Sequence, residues 1–369
     1  MRRWRYYMYA PIPMVPGPVT VPDYILAALA QDYPSGQINH DFLALYAQTG
    51  RALAKMLGTK NDVVMLSGEG MLALWGALKS VVKANERVLT IGTGVFGDGM
   101  ADMAEAIGCQ VERLSFSYQH TIDANDLDFI RSKVLAFKPK LITCVHCETP
   151  SGTLNPVELI GQIKRECGVP LLYADVVSSC GGCPVLVDEW GVDLALGGSQ
   201  KCLSCPPSMC FVSVSPKAWE IMAEVKYAGY DAILPFKTVQ DDLRCPYTPN
   251  WHGLAALNAA CTAILEEGLN HVFQRHEKVA TYVREHLVKL GFKFWPEPHA
   301  IQAPTVSCVM IPEGFTWPDW QSCLAKRGLI VAGSFGPMAG KVFRLGHMGS
   351  QAKMHLAEMA LEALADCLA

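Results

Sequence analysis

The stretch 171–205, LLYADVVSSCGGCPVLVDEWGVDLALGGSQKCLSC, decides how the chain is read. It opens with an apolar run, Leu171-Leu172-Tyr173-Ala174, that ends in Asp175. A second apolar run, Val192 to Leu196, ends in Gly197-Gly198-Ser199-Gln200-Lys201. Each reads as a buried strand that delivers one charged side chain at its C-terminal end. The bland alternative is an aspartate in a turn and a surface lysine. Against it stands the cost of burying isolated charges at a sheet's rim. An acid and a lysine at adjacent strand ends suit pyridoxal 5'-phosphate (PLP). The carboxylate keeps the pyridine nitrogen protonated, so that the ring acts as an electron sink. The amine forms the Schiff base and later moves protons.

Working outward, the same punctuation recurs. Val63-Val64-Met65-Leu66 is a short strand, followed by Ser67-Gly68-Glu69-Gly70 and a helix over about 71–82. Strand, glycine turn and helix form the layout that turns free amides and a positive helix end on a phosphate. Gly68-x-Gly70-x-x-Ala73 also mimics a dinucleotide fingerprint. However, the next strand, Arg87 to Ile91, ends in Gly92-Thr93-Gly94 and not in the acid a ribose requires. Phe96 follows on that loop, either a ring for stacking on a cofactor or a core phenylalanine. Strands near 110–116 and 141–146 and helices near 124–136 and up to 166 continue the alternation. It predicts a mostly parallel sheet covered by helices on both faces, with ligands beyond the strand C-termini.

Past Lys201 come a strand (209–214), a helix from Pro216, an irregular stretch (227–250) and helices near 252–267 and 270–289. Residues 291–369 mix short strands (305–311, 328–333, 341–345) with helices (317–326, 351–367), which predicts a smaller α+β domain. The expected division is an N-terminal arm (1–20), a large domain (21–255) and a small C-terminal domain (256–369). In the small domain, Arg344 interrupts an otherwise apolar strand. Such a residue serves either a planar anion, for example a substrate carboxylate, or a structural ion pair. Gly336-Pro337-Met338-Ala339-Gly340-Lys341 is one residue short of a Walker loop and has Val342 where Ser or Thr is needed. Neither HExxH nor G-x-S-x-G occurs, which removes common zinc-protease and serine-hydrolase patterns.

The 369 residues are 50% hydrophobic and 18% charged, a globular composition. A net charge of −4 without a long basic run argues against nucleic acid as a partner. The start, MRRWRYYMYAPIPMVPGP, is broken by prolines and reads as neither signal peptide nor membrane span. A cytoplasmic protein is expected, with its 14 cysteines as free thiols. Three CxxC pairs (Cys144/Cys147, Cys180/Cys183, Cys202/Cys205) are metal-ligand candidates, or else small buried hydrophobes, the reading favoured here. Cys144 and Cys147 fall in one expected strand, where positions three apart face opposite ways.

With these residues placed, the sequence resembles the class V aminotransferases of the alanine–glyoxylate and serine–glyoxylate type, which are fold-type I PLP enzymes. The segments that carry the resemblance are GTKNDVVMLSG (58–68), ETPSGTLNP (148–156), ADVVSSCGG (174–182), GGSQKCLSCPP (197–207) and GPMAGKVFRLGHMG (336–349). The resemblance implies that Lys201 carries the Schiff base and that Asp175 pairs with the pyridinium nitrogen. Phe96 stacks on the ring, and Thr149 lies near the ring hydroxyl. The backbone of Gly68, Glu69 and Gly70, with Gln200, holds the phosphate. Thr248 reaches the phosphate of the neighbouring subunit, in a homodimer whose active sites lie at the interface. Arg344 grips the substrate carboxylate, with Gly17 of the arm nearby. Small-molecule partners are then an amino acid of the alanine or serine type and a 2-oxo acid such as glyoxylate or pyruvate.

Two positions depart from the pattern. Glu69 stands where a small hydroxylated residue is usual, and a negative side chain beside a phosphate is unexpected. Pyridoxamine–pyruvate aminotransferase, a relative that acts on the free vitamin, has a glutamate in a similar turn. It also has a second arginine where this chain has Phe335, and a tyrosine where this chain has Phe96. Cys245 occupies the place of a common phosphate-binding tyrosine. The competing readings are that vitamin-specific enzyme, a cysteine-desulfurase-type lyase on the same fold, and a metal- or redox-sensing protein built on the CxxC pairs.

Overall fold

In the computed structural model, residues 11–369 are described. The first half of the expected arm, 1–10, lies outside the described residues. Seven strands make the main sheet: β1 (Asp62–Ser67), β2 (Arg87–Gly92), β3 (Gln110–Ser115), β4 (Leu141–Val145), β5 (Leu171–Asp175), β6 (Leu194–Gly198) and β7 (Met209–Val214). Their spatial order is β1-β7-β6-β5-β4-β2-β3, with only β7 antiparallel to its neighbours. This is the expected α/β fold of fold-type I, a mostly parallel seven-stranded sheet between helices. Strands β4, β5 and β6 are buried along their whole length, as a sheet covered on both faces requires.

The helices of this layer are α1 (Asp23–Leu29), α2 (His40–Met56), α3 (Gly70–Val81), α4 (Val95–Ile107), α5 (Leu127–Phe137), α6 (Val157–Cys167), α7 (Pro216–Val225) and α8 (Trp251–Glu267). Three of them start on side chains close in sequence, α8 among them through Asn250, which accepts from the Gly253 amide. Asn39 accepts from the amides of Asp41 and Phe42, and Ser215 accepts from Ala218 ahead of a proline at the first turn. One core cluster packs α2, α6 and α8 on one sheet face, and a second packs α3, α4 and α7 on the other. The expected boundary at 255/256 falls inside α8, whose Leu254, Leu257, Cys261 and Ile264 belong to the large core.

The C-terminal region holds α9 (Leu269–Lys289), α10 (Trp317–Lys326) and α11 (Met354–Leu368). They pack on a three-stranded sheet of β8 (Val306–Met310), β9 (Ala332–Gly333) and β10 (Val342–Gly346), in the order β8-β10-β9. The single strand expected over 328–333 is two. Leu329–Ile330 pairs instead with Ile12–Pro13 of the arm, so the arm is stitched to the small domain.

The second strand of the opening stretch starts two residues later than expected and ends at Gly198. Asp193 sits before it, taking the Leu172 amide at 2.8 Å and Lys164 at 2.6 Å. The expectation of 14 free thiols needs correcting. Cys323 on α10 and Cys367 on α11 are bonded, because the two helices pack side by side and bring the Cα atoms to 6.0 Å. Cys144 and Cys147 are not in one strand, since the chain bends at His146 between β4 and the short strand Cys147–Glu148. Among the described residues, no helix is long and apolar enough to cross a membrane.

Candidate active site

The sheet's C-terminal edge, the head of α3, the loop before α4, the arm and β10 enclose one cavity. Its wall contains Gly17, Glu69, Gly70, Phe96, Thr149, Asp175, Gln200, Lys201 and Arg344. Nine of the sequence-named residues therefore meet in one place. Two do not. The Gly68 amide donates to the Ser208 carbonyl at 3.0 Å, so it is not free for an anion. Thr248 lines a separate hollow with Tyr46, Met65, Tyr247 and Cys245, away from the Lys201 of its own chain.

Asp175 ends β5 and Lys201 lies three residues beyond β6, its neighbour in the sheet. The two side chains face the cavity from separate anchors. Asp175 Oδ1 accepts from the Val177 amide at 2.8 Å, and Lys201 Nζ donates to the Pro16 carbonyl at 2.5 Å. Burial pushes the Asp175 acid up to about 6, with Glu69 adding to the rise while Val177 and Lys201 oppose it. Burial lowers Lys201 to about 8, with the Arg344 charge acting in the same direction. Gly17 is required where it stands. It has φ +93°, and a Cβ there would fall 2.4 Å from Lys201 Cδ.

Arg344 is 5% exposed. Its Nε donates to the Gly333 carbonyl at 2.7 Å, and its guanidinium lies 5.0 Å from the Phe335 ring centroid. Among the described residues it forms no ion pair with a carboxylate, and burial pulls it down to about 10. A desolvated guanidinium with its remaining N–H groups turned into a cavity awaits a planar anion. The structural ion pair that the sequence left open is thereby set aside.

The residues fit a pyridine ring with a phosphate tail. Gln200 Oε1 is buried without a partner, while its Nε2 donates to Glu69 Oε2 at 3.2 Å. The first amides of α3 have no acceptor inside the helix, and Glu69 as N-cap makes no side-chain cap bond. Gly198 and Gly70 approach so closely that a Cβ on Gly198 would meet the Gly70 backbone at 3.3 Å. Phe96 projects into the cavity from the first turn of α4. Thr149 Oγ1 is 3.2 Å from Ser178 Oγ, both buried. The one discordant group is the Glu69 carboxylate, which stands at the anion end.

Ser178, Val177, Met71, Leu74 and the Pro16 carbonyl also line the wall and went unread in the sequence. Ser178 had a signal, three residues past Asp175 in ADVVSS. A backbone carbonyl leaves none. All six cysteines of the CxxC pairs are buried. Cys144, Cys147 and Cys180 are buried, and burial pushes each thiol up to about 12. Among the described residues, the groups placed to share a cation gather at His120, with Glu297 and His299 or with Asp123 and Asp126, and contain no cysteine.

The family model for Aminotransferase class-V matches residues 30–348. An uncharacterised aminotransferase of Methanocaldococcus jannaschii is 34% identical over 340 residues, 91% of this chain and 87% of that protein. The crystal structure of an alanine–glyoxylate aminotransferase from Nostoc superposes with a TM-score of 0.93 at 28% identity, covering 100% of this chain and 98% of the other. That of a pyridoxamine–pyruvate aminotransferase from Mesorhizobium loti gives 0.92 at 27% identity, covering 98% and 93%.

Proposed function

Since this chain belongs to the class-V aminotransferases and is itself a transaminase, we propose that it moves the amino group of a small amino acid of the alanine or serine type to a 2-oxo acid such as glyoxylate or pyruvate, with PLP as cofactor. The observation that carries this reading is Arg344, a buried guanidinium without a carboxylate partner, facing the same cavity as Lys201 and Asp175. One guanidinium in that wall matches one substrate carboxylate. The apolar neighbours Phe335 and Met71 suit a small donor without a second charge.

Asp175 would hold the ring nitrogen, Gln200 and the head of α3 the phosphate, Phe96 one ring face, and Thr149 the ring hydroxyl. Bound there, the cofactor supplies an electron sink for the negative charge left on the donor's Cα. Arg344 takes the donor carboxylate through its free N–H groups and so fixes the Cα–H bond near Lys201. Lys201 Nζ, lowered to about 8, sheds its own proton close to neutrality and can carry the α-proton. The Pro16 carbonyl gives that amine a resting acceptor within the site.

A homodimer accounts for Thr248. It belongs to the expected phosphate set yet faces a hollow remote from its own Lys201, as a residue serving a partner's site would. A cytoplasmic location follows the same reading. A second reading, with free pyridoxamine as amino donor, draws support from Glu69, whose carboxylate occupies the anion end.

The deciding experiment is a donor panel of alanine, serine, glycine and free pyridoxamine against glyoxylate and pyruvate, with and without added PLP. PLP-dependent turnover of an amino acid supports the first reading. Turnover of pyridoxamine alone, without added PLP, supports the second. No transamination by any pair refutes both.

A further inference from the structure

We propose that Glu148 is a positioning residue for this reaction: by gripping the first amides of α4 it fixes where the Phe96 ring lies over the cofactor. The inference rests on the reading of Phe96 as the ring-stacking residue. Glu148 is fully buried and forms no ion pair with any described cation. Both of its oxygens are bonded by backbone. Oε1 accepts from the Gly97 amide at 2.6 Å and Oε2 from the Phe96 amide at 3.2 Å. Both amides belong to the first turn of a helix, where they lack internal acceptors and the helix dipole favours an anion.

The sequence around the grip is shaped for it. A Cβ on Gly94 would fall 2.6 Å from Glu148 Oε2, and one on Gly97 would fall 3.2 Å from Oε1. Gly92-Thr93-Gly94-Val95-Phe96-Gly97 is therefore a cradle for a carboxylate brought in from another strand. Helices α2, α7, α8 and α10 are capped by the residue just before them. Helix α4 is instead held from 51 residues away.

That long reach has a functional consequence. Glu148 ends the short strand Cys147–Glu148 and is followed directly by Thr149 in the cavity wall. One side chain thus ties the wall that carries the aromatic ring to the wall that carries Thr149. Burial pushes its acid up to about 8, with Asp175 and Asp98 adding to the rise and the two amides opposing it, and Asp98 is in turn bonded by Tyr118 and Ser115.

The test compares Glu148→Gln, Phe96→Ala and the double variant. Glutamine keeps the shape but replaces one accepting oxygen with a group that cannot accept an amide N–H. In cofactor-free protein, hydrogen exchange of the 92–100 segment should be about tenfold faster in E148Q than in wild type, because one of two anchoring bonds is lost. In the loaded enzyme, E148Q and F96A should each lower kcat by about tenfold and weaken the visible circular dichroism of the cofactor. The double variant should be no worse than F96A alone, since both act through one ring. Multiplicative losses, or an E148Q enzyme with wild-type dichroism and kcat, would overturn the proposal. Should E148Q not fold, Gly94→Ala displaces the same carboxylate from a φ of −176° that any residue adopts. It must reproduce the pattern, and wild-type behaviour in it counts equally against the proposal. If F96A alone changes neither dichroism nor kcat, the stacking reading itself has failed, an outcome separate from additivity.

Discussion

Replacing Asp175 by Asn should make the cofactor-free protein more stable at pH 8 while removing its activity. The carboxyl is 6% exposed and raised from 3.8 to about 6, chiefly by burial. A group whose folded-state value exceeds its unfolded value contributes stability that is complete below the unfolded value. That contribution is lost as pH climbs through the folded value. In wild type, the loss accumulates between about pH 4 and pH 7. A rise of about 2 units corresponds to roughly 3 kcal/mol. Asparagine carries no charge and can still accept the Val177 amide through its side-chain oxygen. Its NH2 group meets no assured acceptor, so about 3 kcal/mol is the ceiling. At about 2 °C per kcal/mol for a chain of this size, Tm should rise by up to ~6 °C. Thermal melts of both stripped proteins from pH 4 to pH 8 provide the assay. The gap should open as pH rises and close at pH 4. A D175N protein less stable than wild type at pH 8, or a gap independent of pH, would refute the assignment of Asp175 as a carboxylate held ionised at an energetic cost.

Arg344→Gln should raise KM for the amino donor by about 30-fold or more, the ~2–5 kcal/mol cost of truncating a buried charge partner, while cofactor absorbance is retained. Steady-state kinetics with the preferred donor checks it. Gly17→Ala should leave Tm within a few degrees but lower kcat strongly, because its Cβ would displace the Lys201 side chain; kcat and the visible band are the measurements. Glu69→Gln removes the charge from the anion end and should tighten PLP binding by about 1 kcal/mol or more if the phosphate sits there. Loss of pyridoxamine turnover in the same variant, without tighter PLP binding, would favour the second reading. Mixing Lys201→Ala subunits with Thr248→Val subunits should restore PLP affinity in half of the mixed sites, if Thr248 serves the partner's phosphate.

Asp175 and Lys201 were legible because each terminates an apolar run, and a parallel sheet sends both termini to one edge. Arg344 could be read as an odd charge in an apolar strand, although its lack of a partner became visible only in three dimensions. Glu148 was passed over. Its neighbours Gly94 and Gly97 looked like an ordinary loop, and the carboxylate that crowds them lies about 50 residues further along the chain. The resemblance supplied Gly68 and Thr248 without a geometric check. The first proves to be spent on Ser208, and the second lies outside its own chain's cavity. The strand expected from Val192 begins at Leu194, where Asp193 takes over the Leu172 amide. Pairing of Leu329–Ile330 with the arm left no local pattern to detect, because partner choice between distant segments is not written in either one.

The arm spans both sheets. Its Ile12–Pro13 pairs with Leu329–Ile330, its Met14 carbonyl takes the Gly346 amide, and Val19 donates to the Gln200 carbonyl. Pro16 hangs between those fixings with its oxygen accepting from the Lys201 amine. The acceptor of the lysine amine thus belongs to a segment whose two ends are fixed on different parts of the fold, one on the small domain and one beside the main sheet.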